Sequence, residues 1–145
     1  MNNFQLIRTG VDVAPALNAI LRNPQLWNQN DIRTKHQNTA HSEIEDILLR
    51  FNDLNQDVSG IVNDKDCVNF QAFLELPQLR PLVFGLMTMV DGEQLGRVMV
   101  TKLKPKCRVL PHIDGGAPAT FYDRYHIVLS TGDECMFRAG DEIVH

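Results

Sequence analysis

The chain has 145 residues, of which 43% are hydrophobic and 22% charged, with a formal net charge of −4. That size and composition fit one folded domain and exclude a disordered or fibrous chain. The acidic balance excludes the basic footprint of a nucleic-acid binder. The short cluster Lys102, Lys104, Lys106 and Arg108 reads as a solvated strand edge.

No apolar run approaches the roughly 18–20 residues of a membrane span. The N-terminal MNNFQLIRTG lacks the basic start and apolar core of a signal peptide. Cys67, Cys107 and Cys135 are odd in number, widely spaced and form no CxxC pair, as in a reducing compartment. The expectation is a cytoplasmic protein with no membrane partner.

The first predicted helix runs from Asp12 to about Arg22. Asp12 can cap it, Pro15 is tolerated in its first turn, and Leu17, Ile20 and Leu21 share a face. Asn23-Pro24 ends it. Trp27 reads as packing for this helix. A polar stretch from Asn28 to His41 follows, in which His36 and His41 read as loop histidines. Ile47 to Phe51 alternates faintly, as a strand would, although Ser42-Glu43-Ile44-Glu45 before it resembles a helix start. A second helix is predicted around Pro81 to Val90. Leu79, Leu82, Val83, Leu86 and Val90 recur at helical spacing, and Gly92 is the stop.

From Leu95 the texture turns to β. Strands are predicted over Leu95 to Leu103, Cys107 to Asp114 and Tyr125 to Ser130. A hairpin of Cys135 to Arg138 with Glu142 to Val144 is predicted around Ala139-Gly140-Asp141. The fold class expected is mainly β with N-terminal helices, a single domain over 1–145. Residues 1–94 are its helical or mixed part and 95–145 its first sandwich strands.

The sharpest motif is Pro111-His112-Ile113-Asp114-Gly115-Gly116. On a strand, His112 and Asp114 point the same way. An imidazole and a carboxylate so placed are two-thirds of the 2-His-1-carboxylate triad of non-haem iron(II) oxygenases. The Gly pair lets the backbone turn away and leaves that face uncovered. In Arg124-Tyr125-His126, the Arg and the His share a face. An Arg fork holds a carboxylate through parallel hydrogen bonds, and a neighbouring His adds a donor.

The stretch LGRVMVTKLKPKCRVLPHIDGGAPATFYDRYHIVL (Leu95–Leu129) resembles the core of the aspartyl/asparaginyl β-hydroxylase-like oxygenases, including small bacterial and phage members. Arg80–Leu95 and HSEIEDILLRFN (His41–Asn52) are similar to the upstream part of those small members. The resemblance implies a double-stranded β-helix of jelly-roll or cupin-like type. It implies iron(II) as cofactor, 2-oxoglutarate as co-substrate, and dioxygen. His112 and Asp114 match the family's first two iron-ligand positions. Arg124 and His126 match the strand that faces the co-substrate and substrate carboxylates. The implied activity is hydroxylation of an amino-acid or peptidyl side chain, in the host cytoplasm for a phage-encoded member.

The family carries a second iron-binding His and then an Arg for 2-oxoglutarate on later strands. Neither has a match up to His145, so the chain is expected to be C-terminally incomplete and inactive or weak. His145 and His126 remain alternatives for the third ligand. Two other readings stay open: a non-catalytic relic or binding module on the same β-sandwich, and a metal-binding cupin such as an isomerase, which needs no Arg124 clamp.

Overall fold

The computed structural model describes residues 3–35 and 37–145, so the expectation for His36 lies outside the described residues. Helix α1 (Ala14–Arg22) carries Pro15 in its first turn, and Asp12 Oδ1 accepts from the Ala14 N–H at 3.1 Å. It buries Ala16, Ala19 and Ile20. A single turn, Pro24–Leu26, follows. Trp27 packs on the same core cluster as α1.

Strand β1 (Ile44–Phe51) is the centre of the molecule. It absorbs the residues that resembled a helix start: Ile44 and Glu45 are already in the ladder, opposite Leu103 and Lys102. Helix α2 (Val58–Asn63), the two-residue strand β2 (Val68–Asn69) and helix α3 (Gln71–Glu75) come next. Helix α4 (Arg80–Met89) is the second predicted helix, with its stop made by the Gly92 N–H donating to the Met87 carbonyl at 2.8 Å. No residue of α4 is fully buried. Strand β3 (Val98–Leu103) pairs antiparallel with β1, giving a sheet of order β2-β1-β3. The sheet therefore joins the front portion of the chain to the back.

The core lies against β1. Ala16, Ala19, Ile20 and Leu26 meet Ile47, Leu49, Phe73, Leu76 and Leu79 on one side. Leu48, Phe51 and Ile61 form a smaller cluster on the other. With both faces covered, the strand reads as an apolar run, which explains its faint alternation. Asp46 is the charged exception. Its side chain is 1% exposed and pairs with Arg33 Nη1 at 2.8 Å.

After β3 the backbone departs from the expected sandwich. Cys107–Asp114 and Tyr125–Ser130 are not strands; neither segment has a ladder partner among the described residues. The strand pattern is local, whereas a ladder needs a second chain segment in register. Helix α5 (Ala117–Phe121) intervenes, and β4 (Phe137–Ala139) pairs with β5 (Glu142–Val144) as the predicted hairpin. Gly140, at φ 58, makes its turn. The N-terminal segment straps this hairpin. The Asn3 and Phe4 N–H groups donate to Glu142 Oε2 at 2.6 and 3.1 Å, and Phe4 stands edge-on to Phe137 with centroids 5.6 Å apart. The architecture is thus mixed, helices with antiparallel strands in two sheets and no barrel among the described residues.

The three cysteines are free thiols. No helix of the described residues is long and apolar enough to cross a membrane.

Candidate functional site

The site is built on the exposed run that leaves β3. Two hydrogen bonds tie this run to the loop that enters β1. The Leu110 N–H donates to the Ala40 carbonyl at 3.0 Å, and the Arg108 N–H donates to Glu43 Oε2 at 2.7 Å. The run is held beside β1 without being a strand.

His112 and Asp114 come together as their two-residue spacing suggests. His112 Nδ1 lies 2.8 Å from the Leu110 carbonyl, and Nε2 lies 3.2 Å from Asp114 Oδ1. A carbonyl oxygen only accepts, so Nδ1 carries a hydrogen. In a neutral ring, Nε2 then presents a lone pair to a carboxylate oxygen. Two acceptors at that separation require a cation between them, either a proton on Nε2 or a metal ion. A cation roughly 2.1–2.2 Å from both atoms would subtend an angle of roughly 95°, close to adjacent corners of an octahedron. The anchored Nδ1 is also what orients ligating histidines. On these grounds the pair fits a metal such as iron(II).

Arg124 joins them from beyond α5. Its Nη1 contacts Asp114 Oδ2, while Oδ1 faces His112. The Arg124 side chain remains 54% exposed, so the rest of the guanidinium faces water. Arg124 thus meets an acidic side chain of its own chain. Exposed ion pairs of this kind contribute only about 0–1 kcal/mol each, so fold stability gives little reason for three such groups to converge.

His126 stands apart from that trio, against the hairpin. Its ring is tilted on Phe137 with centroids 4.8 Å apart. Desolvation of the ring, and secondarily the Arg124 charge, push its pKa below 6.5. A histidine lowered in the fold binds fewer protons than in the unfolded chain. It therefore contributes stability at neutral pH that is lost as pH falls from 6.5 through its folded value. Titration of the imidazole by NMR should give a midpoint below 6.5. A midpoint at or above that would remove Phe137 and Arg124 as its controlling neighbours.

One glycine of the Gly115–Gly116 pair is required by the turn. Gly116 has φ +86, and a Cβ there would collide with the Val62 carbonyl oxygen. A methyl group at Gly115 would meet none of the described residues within 4 Å. Gly116→Ala is expected to cost about 2–4 kcal/mol and Gly115→Ala under about 1, read as the shift in urea midpoint. Equal effects would show that the turn does not depend on Gly116.

Two contacts were not read from the sequence. His41 stands edge-to-face on His112, with centroids 4.8 Å apart; it lies far up the chain, and no local motif links the two. Glu45 on β1 receives both Lys102 and, at 2.8 Å, Lys104. The hydrogen bonds from Lys102 and Lys104 hold its carboxyl below the usual range. Lys102 therefore reaches a carboxylate and sits on an edge strand at once. Its ammonium also lies 4.4 Å from the Trp27 ring centre.

Two open clefts lie elsewhere. One, of about 280 Å³, is lined by Asn30, Asp53, Asn55, Asn69 and neighbours. The other, of about 420 Å³, lies along Phe84, Met87 and Leu95. Among the described residues no group of three or more His, Cys, Asp or Glu side chains is placed to hold a metal ion. No family model, characterised protein or solved structure matches this chain.

Proposed function

We propose that the protein is an iron(II)- and 2-oxoglutarate-dependent oxygenase that hydroxylates an amino-acid or peptidyl side chain. In this reading it is of the aspartyl/asparaginyl β-hydroxylase-like kind, with a jelly-roll ancestry for its β elements. The observation that carries the reading is the 3.2 Å approach of His112 Nε2 to Asp114 Oδ1 with Nδ1 tied to the Leu110 carbonyl.

His112 and Asp114 would hold the metal. Iron(II) with 2-oxoglutarate would supply the activation of dioxygen and the oxidation of a C–H bond, chemistry that no protein side chain provides. Arg124 occupies Asp114 Oδ2, which leaves Oδ1 as the single ligating oxygen. Its outward N–H groups are free to meet a co-substrate or substrate carboxylate in parallel hydrogen bonds. His126, favoured in its neutral form, offers one further donor without adding a positive charge beside Arg124.

The test is calorimetric titration of 2-oxoglutarate into the chain under anaerobic conditions, with and without iron(II). Binding should require the metal, and Arg124→Ala should weaken it about 10–100-fold. Unchanged affinity in Arg124→Ala would remove that residue from the co-substrate site and favour the cupin alternative. Metal-independent binding, or none, would overturn the oxygenase reading.

A non-catalytic binding module is the second reading, and one observation favours it. Asp114 is satisfied on both oxygens by His112 and Arg124, so the three groups form a closed set in the absence of metal. In that case the metal would leave the Asp114 environment unchanged.

A further inference from the structure

We propose that the outer edge of β3 is a docking site for an acidic extended peptide, which adds to the sheet as a further strand. The inference is separate from the metal reading of His112 and Asp114. β3 ends the order β2-β1-β3, so no strand pairs with its far side among the described residues. The register decides which of its backbone groups face outward. The Asp46 N–H donates to Asn28 Oδ1 at 3.2 Å, and the Asp46 carbonyl accepts from the Asn28 N–H at 2.9 Å. Both groups of Asp46 therefore point away from β3. Its partner across the ladder is Thr101. In an antiparallel pair, a residue that turns its groups away stands opposite one that does the same. The N–H and carbonyl of Thr101 thus face out from the sheet, and by the period of two so do those of Leu103. Ile44, opposite Leu103, agrees: its N–H donates to the His41 carbonyl at 3.3 Å instead of to β3. No backbone hydrogen bond joins Thr101 or Leu103 to a segment beyond β1 among the described residues, and both residues are exposed.

The side chains along this edge set the chemistry of the partner. Val98 and Val100 pack on the core cluster that Trp27 joins, and the Lys102 ammonium lies over Trp27, so the three share a face. Thr101 and Leu103 take the other face. Lys104, Lys106 and Arg108 follow Lys102 along the chain. Lys102 and Lys104 meet Glu45, and the Arg108 N–H meets Glu43. Lys106 and Arg108 have no ion pair among the described residues. These four cations outnumber the two carboxylates, so the edge is locally positive in a chain of net charge −4. A second copy of the same edge would set lysines against lysines, the arrangement by which edge strands resist self-pairing. An acidic strand meets no such repulsion. Bonded to Thr101 and Leu103, it places its intervening residue opposite Lys102 in a non-hydrogen-bonded pair, where side chains come closest. An acid suits that position, and apolar residues suit those opposite Thr101 and Leu103. The partner is therefore a segment that alternates acidic with apolar side chains, gripped by its main chain and selected by its side chains.

The probe would be a capped heptapeptide alternating glutamate and valine, titrated into the full chain by calorimetry and amide NMR. In the free chain, the Thr101 and Leu103 amides should exchange at least about 10-fold faster than that of Lys102, which the register turns toward β1. The peptide should slow those two amides, and its affinity should fall as salt rises. Its valine nitrogens face β3 in this register and its glutamate nitrogens face away. Methylating the valine nitrogens should weaken binding at least about 10-fold, and methylating the glutamate nitrogens should change it less than about 2-fold. Both forms keep the charge, and neither can unfold the protein. Lys106→Glu with Arg108→Glu, at two exposed positions, should also weaken binding about 10-fold. No binding of the peptide overturns the proposal. Equal affinity of the two methylated forms overturns it too, by reducing the attraction to charge that any polyanion would satisfy. Protection of Thr101 and Leu103 that rises with protein concentration alone assigns the edge to a second copy instead. A Lys102 amide that exchanges as fast as that of Thr101 overturns the register argument.

Discussion

Asp114→Ala is expected to lower divalent-metal affinity by more than about 100-fold while shifting the urea midpoint by no more than about 1 kcal/mol. The asymmetry follows from where the carboxylate sits. It is 41% exposed, and its partners His112 and Arg124 are exposed in part or in the main. Solvent therefore replaces it readily as a counter-charge. A metal has no such substitute. On the proposed metal reading, removing the carboxylate would take away one ligand and leave the Arg124 cation beside the His112 imidazole. Asp114→Asn should fall nearly as far, because the amide keeps the shape but not the charge. Calorimetry with iron(II) and equilibrium unfolding of the same samples check both halves. A loss of several kcal/mol in stability with metal affinity intact would make the trio a structural clasp.

Arg33→Ala should show the reverse pattern: about 3–5 kcal/mol of lost stability, the cost of stranding a buried carboxylate. Asp46 is almost wholly enclosed at the middle of β1. Its Oδ2 is held by Arg33, and its Oδ1 has no hydrogen-bond partner among the described residues. Burial pushes the carboxyl up from 3.8, and Arg33 opposes that rise. In the variant the opposition is gone. A carboxyl raised in the fold contributes stability that is present below 3.8 and lost as pH climbs through its folded value. Arg33→Ala should thus be closest to wild type in acid and fall furthest behind at neutral pH. The double replacement Arg33→Met with Asp46→Leu should recover much of the loss, since packed apolar groups substitute well for buried ion pairs. A midpoint in Arg33→Ala that does not vary with pH would mean that Asp46 finds another partner. The Arg33 main-chain carbonyl, which accepts from the Thr39 hydroxyl, is retained in the variant.

What could be read from the sequence was local. Helix α1 was announced by Asp12, Pro15 and an apolar stripe, and α4 by its spacing and Gly92. The β4–β5 hairpin was announced by turn chemistry at Gly140. The strands expected at Cys107–Asp114 and Tyr125–Ser130 had suitable residues, but their place is decided by pairing with distant segments, which a pattern does not encode. The short elements α2, β2 and α3 carry no period long enough to detect. At the site, the meeting of His112 with Asp114 was legible because they stand two positions apart. The meeting of Arg124 with Asp114 and of His41 with His112 is a product of chain reversal, invisible to any motif. Even the Gly pair divides. Gly116 is needed for its positive φ and for Val62, whereas Gly115 is not so constrained.

The strap of Asn3 and Phe4 over the β4–β5 hairpin has a kinetic consequence. Its hydrogen bond to Glu142 closes a sequence separation of 139 residues. Closing a loop of that length in an open chain costs roughly 4 kcal/mol of entropy before any contact repays it. A two-stranded hairpin is itself marginal in water. The hairpin and its strap should therefore assemble after the β1–β3 sheet is in place, and they should open first. In hydrogen exchange, the amides of Asn3, Phe4 and the hairpin should lose protection well before those of β1, as a separate, weakly held unit. His126, resting on Phe137, would share the fate of that unit. A stable sheet can therefore coexist with a transiently detached His126.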